Sequence, residues 1–130
     1  MEKYKVIQWA TGVVGSSCVK GVLRHPKLEL VGVKVYSDDK AGRDVGEIVG
    51  AEKTGVIATQ NVDEILALEA DCVLYCPLPW NVDEMCSLLE SGKHVITPCP
   101  YYFPFLQNPD ATAALEAACA KGNVNFHASG

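Results

Sequence analysis

The stretch from Lys5 to Gly15, KVIQWATGVVG, constrains the fold more than any other part of the chain. It joins a short apolar run to a turn that contains Gly12 and Gly15, and a helical pattern follows directly. This order is typical of the first strand, phosphate loop and first helix of a dinucleotide-binding unit, in which phosphates lie against the helix N-terminus. Gly12 would let the backbone approach a pyrophosphate, and Gly15 would let the helix pack closely on the strand. The pattern departs from G-x-G-x-x-G at its first glycine, where Ala10 stands.

Apolar runs of strand length alternate with amphipathic segments along the remaining chain. The predicted strands are residues 6–9, 28–36, 55–59, 71–76, 94–97 and 124–127. The first helix carries Val14, Cys18 and Val22 on one face, and it ends before Pro26 because a residue that precedes proline disfavours helical geometry. Six strands that alternate with helices predict an α/β doubly wound (Rossmann) parallel sheet with the strand order 3-2-1-4-5-6.

The tetrapeptide Asn-Val-Asp-Glu occurs twice, at residues 61–64 and 81–84. Asparagine is a preferred N-cap, and acids in the first turn suit the helix dipole. We therefore interpret both copies as helix starts and not as chemistry. Asn108 followed by Pro109 predicts another helix start, and Gly122 predicts the end of that helix.

Length and charge restrict the class of protein. A chain of 130 residues is about the size of one domain, and we assign residues 1–130 to a single dinucleotide-binding domain. The formal net charge of -5 supplies no overall attraction for nucleic acid or an anionic membrane. No apolar run approaches the ~18 residues that span a bilayer, and no signal-peptide pattern precedes the first strand, so we expect a cytoplasmic protein. The 6 cysteines form no C-x-x-C pair, which predicts packing and no metal site.

Cofactor contacts are expected in the loops after strands one, two, four and five, because ligands of open α/β sheets bind at the carboxyl ends of the strands. Cys76, Pro77 and Leu78 begin a proline-stiffened turn that would lie beside the nicotinamide half of a dinucleotide. The predicted cofactor-binding residues are Ala10, Thr11, Gly12, Val13, Val14, Gly15, Ser37, Lys40, Arg43, Cys76, Pro77, Leu78 and Cys99.

The loop after the second strand predicts which dinucleotide binds. Ser37, Lys40 and Arg43 can gather around a 2′-phosphate, which favours NADP. Asp38 and Asp39 follow the strand directly and favour NAD, because a carboxylate there accepts hydrogen bonds from the ribose hydroxyls. We expect NADP, with NAD possible, and a solvated polar loop is the alternative interpretation.

Residues 97–105, TPCPYYFPF, form an unusually aromatic and proline-rich segment at the same edge of the sheet. So much apolar surface at a ligand edge indicates a partner. The segment could line a substrate pocket, contact a second domain, or form a dimer contact, and the sequence does not separate these alternatives.

Several stretches resemble the N-terminal half of dihydrodipicolinate reductase-like proteins, most closely the 2,4-diaminopentanoate dehydrogenase and native amine dehydrogenase group. The matching stretches are VIQWATGVVG, LELVGVKVYS followed by KAGRDVGE, and GKHVITP. The resemblance implies an NAD(P)-dependent oxidoreductase that acts on a C–N bond by reversible imine reduction. It also implies a second domain after residue 130, which would supply much of the pocket for a small-molecule substrate. We accordingly expect the 130-residue chain alone to be inactive and the full-length protein to be a homodimer.

The catalytic residues are not predicted. Cys99, Pro100 and Tyr101 stand where the resembled amine dehydrogenases carry an acid after the fifth strand. Sugar dehydrogenases that resemble glucose–fructose oxidoreductase have Glu-Lys-Pro there, and this chain lacks that lysine too. The alternative function is a non-catalytic nucleotide-binding module, such as a redox-sensing or CoA-binding domain, because fold alone does not determine function.

Overall fold

Five parallel strands form one sheet in the computed structural model, which describes residues 2–102 and 104–129. The strands are β1 (Tyr4–Trp9), β2 (Leu28–Lys34), β3 (Cys72–Tyr75), β4 (His94–Thr97) and β5 (Phe126–Ala128), in the order β2-β1-β3-β4-β5. The helices are α1 (Val13–Arg24), α2 (Val45–Val49), α3 (Val62–Ala67), α4 (Val82–Glu90), α5 (Pro104–Gln107) and α6 (Pro109–Gly122). The Rossmann-like parallel architecture is therefore confirmed.

The prediction of six strands is wrong, because residues 55–59 do not form a full strand. Thr59 makes an isolated parallel bridge to Lys34, and Ile57 makes an isolated antiparallel bridge to Asp44. The segment lies at the outer edge of β2, where a third strand would be. Its hydrogen bonds, however, are divided between β2 and the loop that precedes α2. The segment therefore makes only single bridges and no continuous ladder with β2.

Helices pack on both faces of the sheet, and each face has its own apolar core. On one face Trp9, Tyr75 and Val95 pack against residues of α3, α4 and α6. On the other face Val6 and Val33 pack against α1 and α2. The central residues of β1, β2 and β3 are buried or partly buried on both faces, as is usual for parallel sheets, whereas Ile96 of β4 is exposed.

A β-bulge in β2 changes which residues face each core. Val6 pairs with Leu30, but its neighbour Ile7 pairs with Gly32, so one extra residue is accommodated between them. Leu30 and Val33 consequently lie in the same core, on the side of α1. Beyond the bulge Lys34 points to the opposite side of the sheet, where its ammonium group lies over the ring of Trp9.

Local capping signals determine several helix ends. The side chains of Asn61 and Asn81 accept hydrogen bonds from backbone N–H groups in the first turns of α3 and α4, so both predicted caps are confirmed. Asn108 precedes α6 but makes no side-chain cap. The prediction that Gly122 ends α6 is wrong by one residue, because Gly122 is helical and Asn123 adopts the left-handed conformation with φ 55°. A Cβ on Gly122 would collide with the carbonyl oxygen of Leu89, so this glycine lets α6 approach α4.

Candidate functional site

The turn between β1 and α1 is the one predicted to bind phosphate, and its first glycine is missing. Ala10 occupies that position and adopts a positive φ of 79°, a region that non-glycine residues rarely visit. A Cβ on Gly15 would collide with the carbonyl oxygen of Ala10, so only glycine allows this close packing of α1 against the turn. The structural role predicted for Gly15 is thus confirmed.

The N-terminus of α1 is suited to an anion. Gly12 is the N-cap of α1, and glycine has no side chain that could make a capping hydrogen bond. The first turn of the helix contains no acidic residue. Backbone N–H groups of a first turn have no partner inside the helix, and the helix dipole adds positive potential there. A Cβ on Gly12 would meet nothing within 4 Å, so the chain itself does not require a glycine at this position. The space beside Gly12 is therefore open.

A cleft of about 450 Å³ lies over this turn, at the carboxyl ends of the strands. It brings together ten of the thirteen predicted cofactor residues, from the loops after β1, β2 and β3. Its lining residues are Ala10, Thr11, Gly12, Val13, Val14, Tyr36, Ser37, Lys40, Cys76, Pro77 and Leu78.

Lys40 provides the positive charge of the cleft lining. Its Nζ donates to the carbonyl oxygen and to the hydroxyl oxygen of Thr11, both at 3.0 Å. An ammonium group has three donors, so one remains for a ligand. The loop after β2 thereby places a cation directly beside the phosphate loop.

Asp38 is directed to a neighbour outside the cleft lining. Its carboxylate accepts a hydrogen bond of 3.0 Å from Nε2 of Gln60, which also donates to the carbonyl oxygen of Tyr36. The hydroxyl of Ser37 accepts from the backbone N–H of Asp39 at 3.1 Å. The loop is therefore held by its own side chains, and neither aspartate lines the cleft.

Three predicted residues lie outside the cleft lining. Gly15 packs beneath the turn. Arg43 forms an exposed ion pair with Glu47 at 3.1 Å. Cys99 is buried, and its thiol donates to the carbonyl oxygen of Pro77 at 2.9 Å, which ties the loop after β4 to the loop after β3.

Cys76 lies at the end of β3 and lines the cleft with an uncharged thiol. Burial is the main cause that raises its pKa, to about 12, and the neighbouring Cys18 and Cys99 raise it further against a hydrogen bond from Gln8 that lowers it. A thiol is nucleophilic only as the thiolate. At neutral pH Cys76 is therefore part of the apolar wall of the cleft.

Sequence reasoning missed Tyr36, which lines the same cleft. Its hydroxyl accepts a hydrogen bond of 2.6 Å from Nε1 of Trp9 and lies 3.3 and 3.4 Å from the two carboxylate oxygens of Glu84. Tyr75 donates to the same carboxylate at 2.6 Å. The only sequence signal was an aromatic residue directly before Ser37, because these contacts join residues far apart in the chain.

A second cleft, of about 490 Å³, lies between α6 and the edge strand β5 and involves part of the aromatic segment 97–105. Tyr101 lines it, makes edge-to-face contacts with Trp80 and Phe126, and shares a hydrogen bond of 2.6 Å with Thr112. Tyr102, Phe105 and Leu106 are exposed. Phe103 lies outside the described residues. The three expected roles of this segment stay predictions.

Residues 2–102 and 104–129 contain neither a membrane-spanning helix nor a cluster of metal ligands. None of the helices there has the length and apolar character that crossing a bilayer requires. In the same residues no three histidine, cysteine or acidic side chains come together in a way that could hold a metal ion.

The comparisons with known proteins agree with this geometry. Residues 6–97 match the family model described as dihydrodipicolinate reductase, N-terminus. An amine dehydrogenase from Streptomyces virginiae is 30% identical over 132 residues, which cover 95% of this chain and 37% of that protein. A 4-hydroxy-tetrahydrodipicolinate reductase from Synechocystis sp. is 32% identical over 63 residues, which cover 48% of this chain and 23% of that protein.

The solved amine dehydrogenase from Mycobacterium smegmatis has the same fold, with a TM-score of 0.88 at 22% identity over 98% of this chain and 39% of that structure. The chain thus spans little more than a third of the length of these two amine dehydrogenases.

Proposed function

Because the chain belongs to the family of dihydrodipicolinate reductase N-terminal domains, we propose that it is the cofactor-binding domain of an NAD(P)-dependent oxidoreductase. The open space beside Gly12, at the uncapped N-terminus of α1, is the observation that carries this proposal. A nicotinamide cofactor supplies the hydride in such enzymes, and the protein supplies binding and orientation. Here the turn after β1 would hold the pyrophosphate and the loop after β2 would hold the adenosine half.

NADP is the proposed cofactor. Lys40 and Ser37 line the cleft where the 2′-phosphate would lie, and a phosphate gains from charged donors. Asp38 is engaged by Gln60 and does not line the cleft, so its charge is directed away from that phosphate. NAD, which lacks the phosphate, would gain less from Lys40.

The proposed reaction is imine reduction, or the reverse amine oxidation, on a small molecule. Two of the curated relatives are named amine dehydrogenase and 4-hydroxy-tetrahydrodipicolinate reductase. Both relatives are far longer than the part that this chain matches. We therefore place the substrate-binding groups in a second domain, and the 130-residue chain alone should bind cofactor without turnover. Dimerisation and a cytoplasmic location remain part of the proposal.

Calorimetric titration of the 130-residue chain with NADP, NAD and CoA tests the function. We expect binding of both dinucleotides, tighter for NADP, and none of CoA. Replacement of Gly12 by valine should abolish dinucleotide binding, because its side chain would occupy the proposed ligand space. The thermal unfolding transition should remain in place, because a Cβ at this position meets no protein atom within 4 Å. Binding of CoA alone, or unchanged dinucleotide binding by Gly12→Val, would reject the proposal.

A further inference from the structure

We propose that Tyr36 is the platform on which the adenine ring of the cofactor stacks, an inference that rests on the proposed dinucleotide function. Trp9, Glu84 and Lys34 act as positioning residues that hold its ring in place. Tyr36 follows β2, whose carboxyl end is the adenosine side of the cleft in this fold. The inference follows from how this side chain is fixed and from which part of it stays open.

The hydroxyl group of Tyr36 is held from two elements. Trp9, at the end of β1, donates to it from Nε1 at 2.6 Å, and Trp9 itself is completely buried. Tyr36 in turn can donate to Glu84, in the first turn of α4, at 3.3 Å. Burial is the main cause that raises the pKa of Tyr36 to about 12, so the hydroxyl keeps its proton at neutral pH.

The carboxylate of Glu84 is itself fixed. Tyr75, at the end of β3, donates to it at 2.6 Å, and Asn81 caps the same helix turn by accepting from the backbone N–H of Glu84. The ends of β1 and β3 and the N-terminus of α4 therefore contribute to the position of a single tyrosine ring. Preorganisation of this kind lowers the cost of binding because little side-chain freedom is lost when the ligand arrives.

One face of the Tyr36 ring is covered by a buried cation. The Nζ atom of Lys34 lies 3.8 Å from the ring centroid and donates to the carbonyl oxygen of Val35 at 3.1 Å. Lys34 is only 4% exposed, and burial lowers its pKa although the charge of Glu84 opposes this effect. Ammonium groups at this distance are attracted to the ring face.

The remaining surface of Tyr36 faces the cleft. The residue is 51% exposed and lines the cleft, although its hydroxyl and one ring face are engaged. Among the described residues, Tyr36 is the only aromatic residue that lines this cleft. Every purine presents a flat π-face, and aromatic side chains stack on it regardless of the hydrogen-bonding edge. The chain thus offers adenine one rigid stacking surface, next to the residues that would hold the ribose and phosphates.

Titration calorimetry on Tyr36→Leu with NADP and with NAD tests this role. Both dinucleotides carry the same adenine, so both affinities should fall by about tenfold, equivalent to about 1.4 kcal/mol, and their ratio should stay unchanged. Tyr36→Phe keeps the ring and should bind both within about threefold of wild type. The matched control is Tyr4→Leu, which removes a tyrosine that is 65% exposed at the opposite end of the sheet and should change neither affinity.

The outcomes separate this inference from the function on which it rests. A wild-type chain that binds neither dinucleotide rejects the proposed function, whereas wild-type binding with an unaffected Tyr36→Leu rejects only the platform. A loss for NADP alone would assign Tyr36 to the 2′-phosphate and overturn the inference. Tyr36→Phe could also lose as much dinucleotide affinity as Tyr36→Leu while circular dichroism shows that it is folded. That result would show that the hydroxyl and not the ring matters, and it would overturn the inference as well.

Discussion

The ammonium group of Lys40 lies 3.0 Å from both the carbonyl oxygen and the hydroxyl oxygen of Thr11. This contact joins the loop after β2 to the phosphate turn across the cleft. A dinucleotide bound there would have its pyrophosphate and its 2′-phosphate near the same cation. The contact therefore makes Lys40 the residue whose charge should matter most for affinity.

Replacement of Lys40 by alanine should weaken NADP binding by about 1.5–3 kcal/mol, the range for hydrogen bonds to charged groups, and NAD binding by less. The difference arises because NAD lacks the 2′-phosphate. Calorimetric titration of both cofactors measures it. Lys27→Ala is the control, because Lys27 is an exposed lysine directly before β2, at the far end of the sheet. Wild-type affinity in Lys40→Ala would contradict the assignment of this loop.

Arg43→Ala tests whether the arginine contributes although it does not line the cleft. If its guanidinium turns to the 2′-phosphate, NADP binding should weaken by roughly 1–3 kcal/mol and NAD binding by less. The turn would release an exposed ion pair with Glu47, which costs only about 0.3–0.5 kcal/mol. Glu47→Ala is the control and should leave both affinities within a factor of two or so, as that small energy implies. Equal losses of NADP and NAD affinity would show that Arg43 does not bind the 2′-phosphate.

Gly15→Ala should destabilise the domain by about 1–3 kcal/mol, the usual cost of overpacking, because the new Cβ collides with the carbonyl oxygen of Ala10. Urea unfolding followed by circular dichroism gives the change in free energy. Gly21→Ala, in the same helix but with open space around the new Cβ, should instead stabilise it by about 0.4–1 kcal/mol. If the two substitutions changed the free energy of unfolding by similar amounts, the packing of α1 against the carbonyl group of Ala10 would not require a glycine at position 15.

The contribution of Asp44 to the stability of the domain should be lost at low pH. Hydrogen bonds from Thr54, Gly46 and Gly55 lower the pKa of this carboxyl to about 2, with the backbone N–H of Thr54 as the largest cause. A group whose pKa is lowered by folding stabilises the folded state above its ordinary pKa, near 4, and loses that contribution as the pH falls towards 2.

Thermal melting of wild type and Asp44→Asn between pH 7 and pH 2 measures this contribution. The variant should melt at a lower temperature above about pH 4, and the difference should shrink between pH 4 and pH 2. Asp39→Asn, in the preceding exposed loop, should melt like wild type throughout. A difference between wild type and Asp44→Asn that stays constant down to pH 2 would contradict the lowered pKa.

Features that depend on neighbouring residues were predictable from the sequence. The caps at Asn61 and Asn81 need only the residues of the first helical turn, and the position of Gly15 after the first strand predicts the close packing of α1 against the turn. The positive φ of Ala10, where the motif has its first glycine, was not predictable from the residue itself.

Features that depend on distant contacts were not predictable. Residues 55–59 have a strand-like composition, but Asp44 binds the backbone of Thr54 and Gly55 and ties the start of this segment to α2. Tyr36 gains its fixed position from Trp9 and Glu84, which lie 27 and 48 residues away in the chain. No local pattern indicates such contacts.

The bulge in β2 means that the strand tolerates one residue more than its partner without a change in which side chains reach the adenosine side of the cleft. Side chains of a strand alternate between two faces, so an extra residue in a regular ladder would exchange the faces beyond it. A protein that lacked Val31 but kept every other residue could pair Leu30 with Val6 and Gly32 with Ile7 without a bulge, and Lys34 and Tyr36 would stay on the side of Trp9. Among related chains, loss of one residue between Leu30 and Gly32 is therefore expected to leave the lining of the cleft unchanged.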